Sequence, residues 1–198
     1  DKAYRGILKP TNDWFMELDY NAAELRTLLA LANKRQPTQD IHMWNVENVY
    51  SGLVTREEAK KRIFAWLYNP ESKDRSPERI YNRSKILADY WDGKRVNTPF
   101  NRVINADKKH ALNYLIQSTT SDLFLRAALR VAKLLENRRS FLSFTIHDSL
   151  VIALADEDRH VLPDIISTFK TTELGEFVTN VSAGKDFGNM RELKWEQL

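Results

Sequence analysis

Runs of apolar residues separate strand-like from helix-like stretches along the chain. Trp14-Phe15-Met16-Glu17-Leu18 reads as a strand and ends in Asp19-Tyr20. A second strand-like region, centred on Phe144–Ile152, has apolar residues up to His147-Asp148-Ser149 and a further apolar run from Leu150 to Leu154. Two β-rich runs meeting at a short polar step predict a hairpin with the polar residues at its tip. A helical period begins at Ala22, where Leu25, Leu28, Leu29, Leu31 and Ala32 share a face, and stops at Asn33-Lys34-Arg35-Gln36-Pro37. Asp40-Ile41-His42 opens a short helix, Met43 to Tyr50, closed by Ser51-Gly52.

Thr55 and Glu58 form a capping box for a helix that runs to Tyr68 and stops at Asn69-Pro70. Residues 71–95 are dense in charge, with apolar Ile80, Ile86, Leu87 and Trp91, and predict one partly exposed helical stretch closed at Asp92-Gly93. Val96 to Ile104 reads as a hairpin or irregular β segment, and Lys108 to Glu136 as the longest helix. Asp156-Glu157-Asp158 is expected to cap a helix through about Lys170. A last strand is expected around Phe177 to Val181, before a polar tail carrying Gly184, Gly188 and Trp195. Internal repeats, low-complexity segments and linkers are not evident.

Composition narrows the picture only modestly. With 198 residues, 42% hydrophobic and 29% charged, the chain has globular composition and enough length for a sizeable core. A formal charge of +3 and a pI near 9.0 hint weakly at a polyanionic partner. The chain has no cysteine, which removes disulfides and thiolate metal sites and fits a reducing compartment. It has no run of 18 apolar residues and no signal-peptide pattern, so a soluble, cytoplasmic protein without membrane partners is expected. The chain opens at Asp1 without a methionine, which reads as a fragment or an excised domain.

Two features suggest chemistry. Asp19 and Asp148 each sit at the end of a strand-like run, and carboxylates converging from neighbouring strands make a seat for divalent cations. Arg56, Lys60, Phe64 and Tyr68 recur every fourth residue, so two cations and two aromatics share one helix face. Each feature has a plainer reading. Asp148 alone reads as a solvated turn residue, and Arg56 and Lys60 alone as a solvated helix face with Glu57 or Glu58 as partners. Phe64 and Tyr68 can be core aromatics, Glu24 a surface residue, His147 a satisfied core histidine, and His42 a helix N-terminal residue without a ligand. The basic run Lys73 to Arg83 reads as a solvated face.

In order, the motifs resemble those of family A DNA polymerases, the class of bacterial DNA polymerase I. Asp19-Tyr20-Asn21-Ala22-Ala23-Glu24-Leu25-Arg26 resembles the first palm motif. The Arg56, Lys60, Phe64, Tyr68 stripe is similar to the fingers helix in residue type and spacing. Asn113 through Gln117, with Ser118-Thr119, resembles Asn-x-x-x-Gln-Gly-Thr, and His147-Asp148-Ser149 resembles His-Asp-Glu. Smaller echoes are Asp40-Ile41-His42, Val96-x-Thr98 with Arg102, and Val181 to Gly188.

This resemblance implies an α+β fold: a polymerase palm with an antiparallel sheet, plus short helical fingers. The expected parts are palm at 1–34, fingers at 35–107 with the motif helix at 55–69, and palm again at 108–198. A thumb and a 3′–5′ exonuclease domain are not expected in this chain, so a thumb or exonuclease segment, or an accessory replication subunit, is the expected partner. The implied activity is template-directed DNA synthesis on primer–template DNA with dNTPs, using two Mg²⁺ ions for which Mn²⁺ can substitute.

Asp19, Asp148 and the backbone carbonyl of Tyr20 are the implied metal ligands. Arg56, Lys60 and His42 would hold the triphosphate, Lys60 also acting as acid toward pyrophosphate. Phe64 and Tyr68 would stack on base and sugar, Tyr20 would border the dNTP, and Glu24 would fill the space of a ribose 2′-hydroxyl. Lys109, Asn113, Gln117 and His147 would contact DNA, where minor-groove acceptors are nearly sequence-independent.

Departures from the pattern are Ser149 for glutamate, Ala65 and Asn69 for glycines, Ile63 for asparagine, Ser118 for glycine, and Lys109 for arginine. The shortened stretch between Tyr68 and Gln117 implies trimmed fingers and suggests a phage or viral enzyme in bacterial or infected-host cytosol. Two other functions compete: a single-subunit RNA polymerase, which often carries His-Asp-Ser, and a non-catalytic primer–template-binding module of a replication assembly. Phe64 and Glu24-Leu25-Arg26 speak against the first; retention of both aspartates and both fingers cations speaks against the second.

Overall fold

The computed structural model describes residues 2–193; Trp195 lies outside the described residues. After a 3₁₀ turn over Lys2–Ile7 come β1 (Trp14–Tyr20), α1 (Ala23–Leu31), α2 (Ile41–Asn48) and α3 (Arg56–Tyr68). Then follow α4 (Arg75–Tyr81), α5 (Arg83–Tyr90), β2 (Arg95–Asn97), β3 (Val103–Asn105) and α6 (Ala111–Leu134). The chain continues through β4 (Phe141–Ile146), β5 (Ser149–Leu154), α7 (Leu162–Lys170), β6 (Thr171–Thr172), β7 (Gly175–Glu176), β8 (Thr179–Gly184) and β9 (Arg191–Glu192). These elements divide into two compact units, residues 1–21 with 123–198 and residues 22–122. The divisions fall at 21/22 and 122/123, so α1 and the first half of α6 group with 22–122.

The first unit is built on an antiparallel five-stranded sheet in the order β4-β5-β1-β8-β9. β1 is flanked on both sides, by β5 and β8. Alternation along β1 sends Met16, Leu18 and Tyr20 to one face and Phe15, Glu17 and Asp19 to the other. On the first face Tyr20 stacks on Phe169 of α7 at 4.3 Å, and Phe169 meets Phe124 of α6 edge-on. α7 is amphipathic and buries Leu162, Ile165, Ile166 and Phe169. On the opposite face Phe15, Phe144 and Phe187 form an edge-to-face triad. β5 is buried throughout, which explains its unbroken apolar run. Gly188 is fixed by crowding, since a Cβ there would lie 2.6 Å from Gly6 N.

The second unit is helical, with a small β2–β3 hairpin. Leu25, Leu28, Leu29, Ile41, Ile63, Trp66, Tyr81 and Leu115 belong to its core. Arg26 is also fully buried there; its guanidinium donates to Pro37 O at 2.8 Å and Gln39 O at 2.9 Å, pinning the loop between α1 and α2. Burial draws its pKa down to about 10.

Several expected elements differ. The single helical stretch of 71–95 is broken at Asn82, whose φ of 50° ends α4 while its side chain accepts from Lys85 N to start α5. Asp156-Glu157-Asp158 does not cap a long helix. These residues form a 3₁₀ turn over Asp156–Val161, and buried Asp158 instead accepts from Ser140 N at 2.8 Å. The last long strand runs over Thr179–Gly184 rather than from Phe177, whose ring is buried beside Tyr20. No helix among the described residues is long and apolar enough to cross a membrane.

Candidate active site

In the sheet unit, β4 and β5 form a hairpin whose turn is His147-Asp148, with His147 at φ 54°. A left-handed first residue is the conformation two-residue hairpins favour. Ser149 is not at the tip. It is the first residue of β5, paired with Ile146 on one side and Asp19 on the other. On its other flank Asp19 pairs with Asn180 of β8. Ser149 Oγ donates to Asp19 Oδ1 at 2.8 Å, and Asn180 Nδ2 lies 3.5 Å from Oδ2.

Burial raises the pKa of Asp19 above the usual carboxylate range. The Ser149 bond opposes that shift, and the charge of Asp148 adds to it. A half-buried carboxylate beside a second negative charge is the arrangement a divalent cation would neutralise, so the residues fit such an ion. Among the described residues no group of three or more His, Cys, Asp or Glu gathers into a metal cluster. The protein's share would be the two aspartates and a backbone carbonyl such as that of Tyr20, leaving room for water and phosphate oxygens, as Mg²⁺ favours. The Tyr20 side chain itself is committed to the core: its hydroxyl donates to Phe169 O at 2.6 Å, so only its backbone is available to a ligand. His147 is exposed in the turn.

In the helical unit, the capping box of Thr55 and Glu58 starts α3 as expected. Ala59, Ile63, Trp66 and Leu67 are its buried residues, whereas Lys60 and Tyr68 are exposed and Arg56 and Phe64 half-buried. Tyr68 is 48% exposed, so the Arg56–Tyr68 stripe is not an ordinary core stripe. Phe64 and Tyr68 stack at 5.9 Å with planes 9° apart, and His42 of α2 lies 5.8 Å from Phe64. The Tyr68 hydroxyl donates to the Glu24 carboxylate. Burial first, then that bond, pushes the Tyr68 phenol well above its ordinary range.

Arg56 is held by Asp40 through two bonds, Nε at 3.1 Å and Nη2 at 2.9 Å. Asp40 also caps α2 by accepting from Met43 N, so one carboxylate fixes both Arg56 and the start of the helix that carries His42. His42 is buried, Nδ1 has no hydrogen-bond partner, and burial lowers its pKa, keeping the ring neutral. Within the same unit a cavity of about 410 Å³ is lined by Tyr68, Arg83, Lys108, Lys109, His110 and Asn113 among others. Asn113 Oδ1 is buried without a partner, and Gln117, one turn on along α6, is exposed. The structure thus gathers Glu24, His42, Arg56, Lys60, Phe64 and Tyr68 with Lys109 and Asn113 in one unit, and Asp19, Asp148 and His147 in the other. Sequence reasoning missed the parts of Ser149, Asn180 and Asp40. Only the Asp40 role had a local signal, a helix-capping aspartate two residues before His42.

The sheet and the helices around it define a polymerase palm-like fold. No family model matches the chain, and no curated protein matches it in sequence. The POL domain of Pol1 from M. smegmatis, solved in complex with DNA primer-template and dNTP, has the same fold at a TM-score of 0.76 and 16% identity. The match covers 94% of this chain and 42% of that one, so the chain spans about two fifths of its length.

Proposed function

We propose that the chain carries the nucleotidyl-transfer core of a template-directed DNA polymerase of the family A type, with palm at 1–34 and 108–198 and fingers at 35–107. The observation that carries this reading is Asp19, held between two neighbouring strands of the palm-like sheet, beside Asp148 in the adjoining hairpin turn. Nucleotidyl transfer needs positioning and charge stabilisation more than covalent chemistry. Asp19 and Asp148 would hold divalent cations; when bound, these lower the pKa of the primer 3′-hydroxyl and offset charge on the transferring phosphate.

The chain's own residues would do the rest. Arg56 and Lys60 bind the triphosphate, and Lys60 hands a proton to the departing pyrophosphate. His42 contributes a neutral N–H rather than a charge. Phe64 and Tyr68 give the base and sugar a stacking surface, and Glu24, tied to Tyr68, takes the space of a 2′-hydroxyl. Lys109, Asn113, Gln117 and His147 bind the duplex. A thumb, an exonuclease segment or an accessory subunit would be further partners.

A single-subunit RNA polymerase is the second reading, favoured by Ser149 after His147-Asp148. The Tyr68 hydroxyl donates to Glu24, and a carboxylate tied in this way would weigh against that reading if it fills the space of a ribose 2′-hydroxyl. Primer extension on annealed DNA with Mg²⁺ decides between them. Extension with dNTPs but not rNTPs, abolished by Asp148→Ala, is the expected result. Efficient rNTP use would move the assignment to an RNA polymerase. DNA binding without synthesis, unchanged by Asp148→Ala, would leave only a binding module.

A further inference from the structure

β1 is the one strand of the sheet flanked by both β5 and β8, and Asp19 has a register partner on each: Ser149 and Asn180. Directly opposed residues share a face with Cβ atoms about 5 Å apart, close enough for short polar side chains to meet. Each partner directs its donor to a different oxygen of the same carboxylate, Ser149 to Oδ1 at 2.8 Å and Asn180 toward Oδ2 at 3.5 Å. An ionised carboxylate has about four lone-pair sites, so one donor on each oxygen leaves the others for a cation.

Both partners are neutral. Ser149 opens a strand otherwise built of Leu150, Val151, Ile152, Ala153 and Leu154, and at 7% exposure its hydroxyl would be costly there without an acceptor.

We infer that Ser149 and Asn180 are positioning residues that hold the Asp19 carboxylate in one orientation for a divalent cation, one neutral donor on each oxygen. The inference rests on the reading of Asp19 and Asp148 as cation ligands. Groups that orient metal-bound side chains typically change metal affinity about 10–100-fold when removed. The shorter Ser149 bond contributes more than the Asn180 contact, which lies at the limit of hydrogen-bond length.

The test is Mn²⁺ binding without nucleotide or DNA, read by electron paramagnetic resonance on the whole chain, with circular dichroism as the check on folding. Wild type is expected to bind and Asp148→Ala to lose the site. Ser149→Ala should weaken binding about tenfold and Asn180→Ala about threefold, while Ser149→Thr, which keeps the hydroxyl, should restore affinity. If Ser149→Ala does not fold, Asn180→Ala and Ser149→Thr still decide the matter. Mn²⁺ bound by wild type, lost in Asp148→Ala but unchanged in both alanine variants, would overturn the inference and leave the polymerase reading standing. A wild-type chain that binds no Mn²⁺ would overturn both.

Discussion

Glu24 and Tyr68 lie 44 residues apart in sequence and are joined by one hydrogen bond, so any argument about sugar selection concerns the pair. Because the phenol titrates far above neutrality, Tyr68 stays a donor across the working pH range and Glu24 keeps its orientation. Glu24→Ala is therefore expected to raise ribonucleotide incorporation relative to deoxynucleotide about 10–100-fold, in line with the discrimination one steric contact supplies. Tyr68→Phe, which keeps the ring and frees the carboxylate, should relax it less. The ratio of kcat/KM for dNTP and rNTP measures both, and an unchanged ratio in Glu24→Ala would remove the carboxylate from sugar selection.

The Arg56, Lys60, Phe64, Tyr68 stripe was legible because a helix turns spacing into a shared face. The hold of Ser149 and Asn180 on Asp19 was not, because it spans 130 and 161 residues and depends on strand register, which no local pattern encodes.

At the scale of elements, local signals succeeded where the chain closes its own hydrogen bonds. The Thr55–Glu58 capping box starts α3 where its sequence places it. Asn82 broke a stretch that reads as continuous, because a single left-handed residue can end one helix and cap the next. Asp158 shows the opposite case: an acidic run resembles a helix cap, yet its carboxylate serves the entry to β4. Ser140 N donates to it, and Ser140 Oγ in turn accepts from Ala155 N, all in buried surroundings.

Asp158→Ala would leave the buried Ser140 N–H without its acceptor, and a loss of about 1–3 kcal/mol in chemical denaturation at pH 7 is expected. Hydrogen bonding from Ser140 holds the Asp158 pKa below its ordinary value. The stabilisation is therefore complete above the unfolded-state value near pH 4 and fades as pH falls through the lower folded one. The gap between wild type and variant should accordingly narrow in acid. A gap that is constant with pH, or grows below pH 4, would contradict the assignment.

Across the whole molecule, the α+β class and the antiparallel sheet were legible through the resemblance of the motifs, with two strand-like runs and the helical periods between them in keeping with it. Strand order was not, since β8 reaches its place beside β1 only through tertiary pairing and its start is displaced from the expected Phe177. The likeness to the mycobacterial POL domain at 16% identity is one of fold, so the chemistry must be decided at the residues. Because Asp19 and Asp148 are assigned to one cation-binding unit, their effects should not add.

The most direct measurement is the single-turnover rate of one templated nucleotide insertion by wild type, Asp19→Asn, Asp148→Asn and the double variant. Each single substitution is expected to lower the rate at least about 1,000-fold, with the double variant no slower than the singles. Near-wild-type insertion by either single variant would contradict the account.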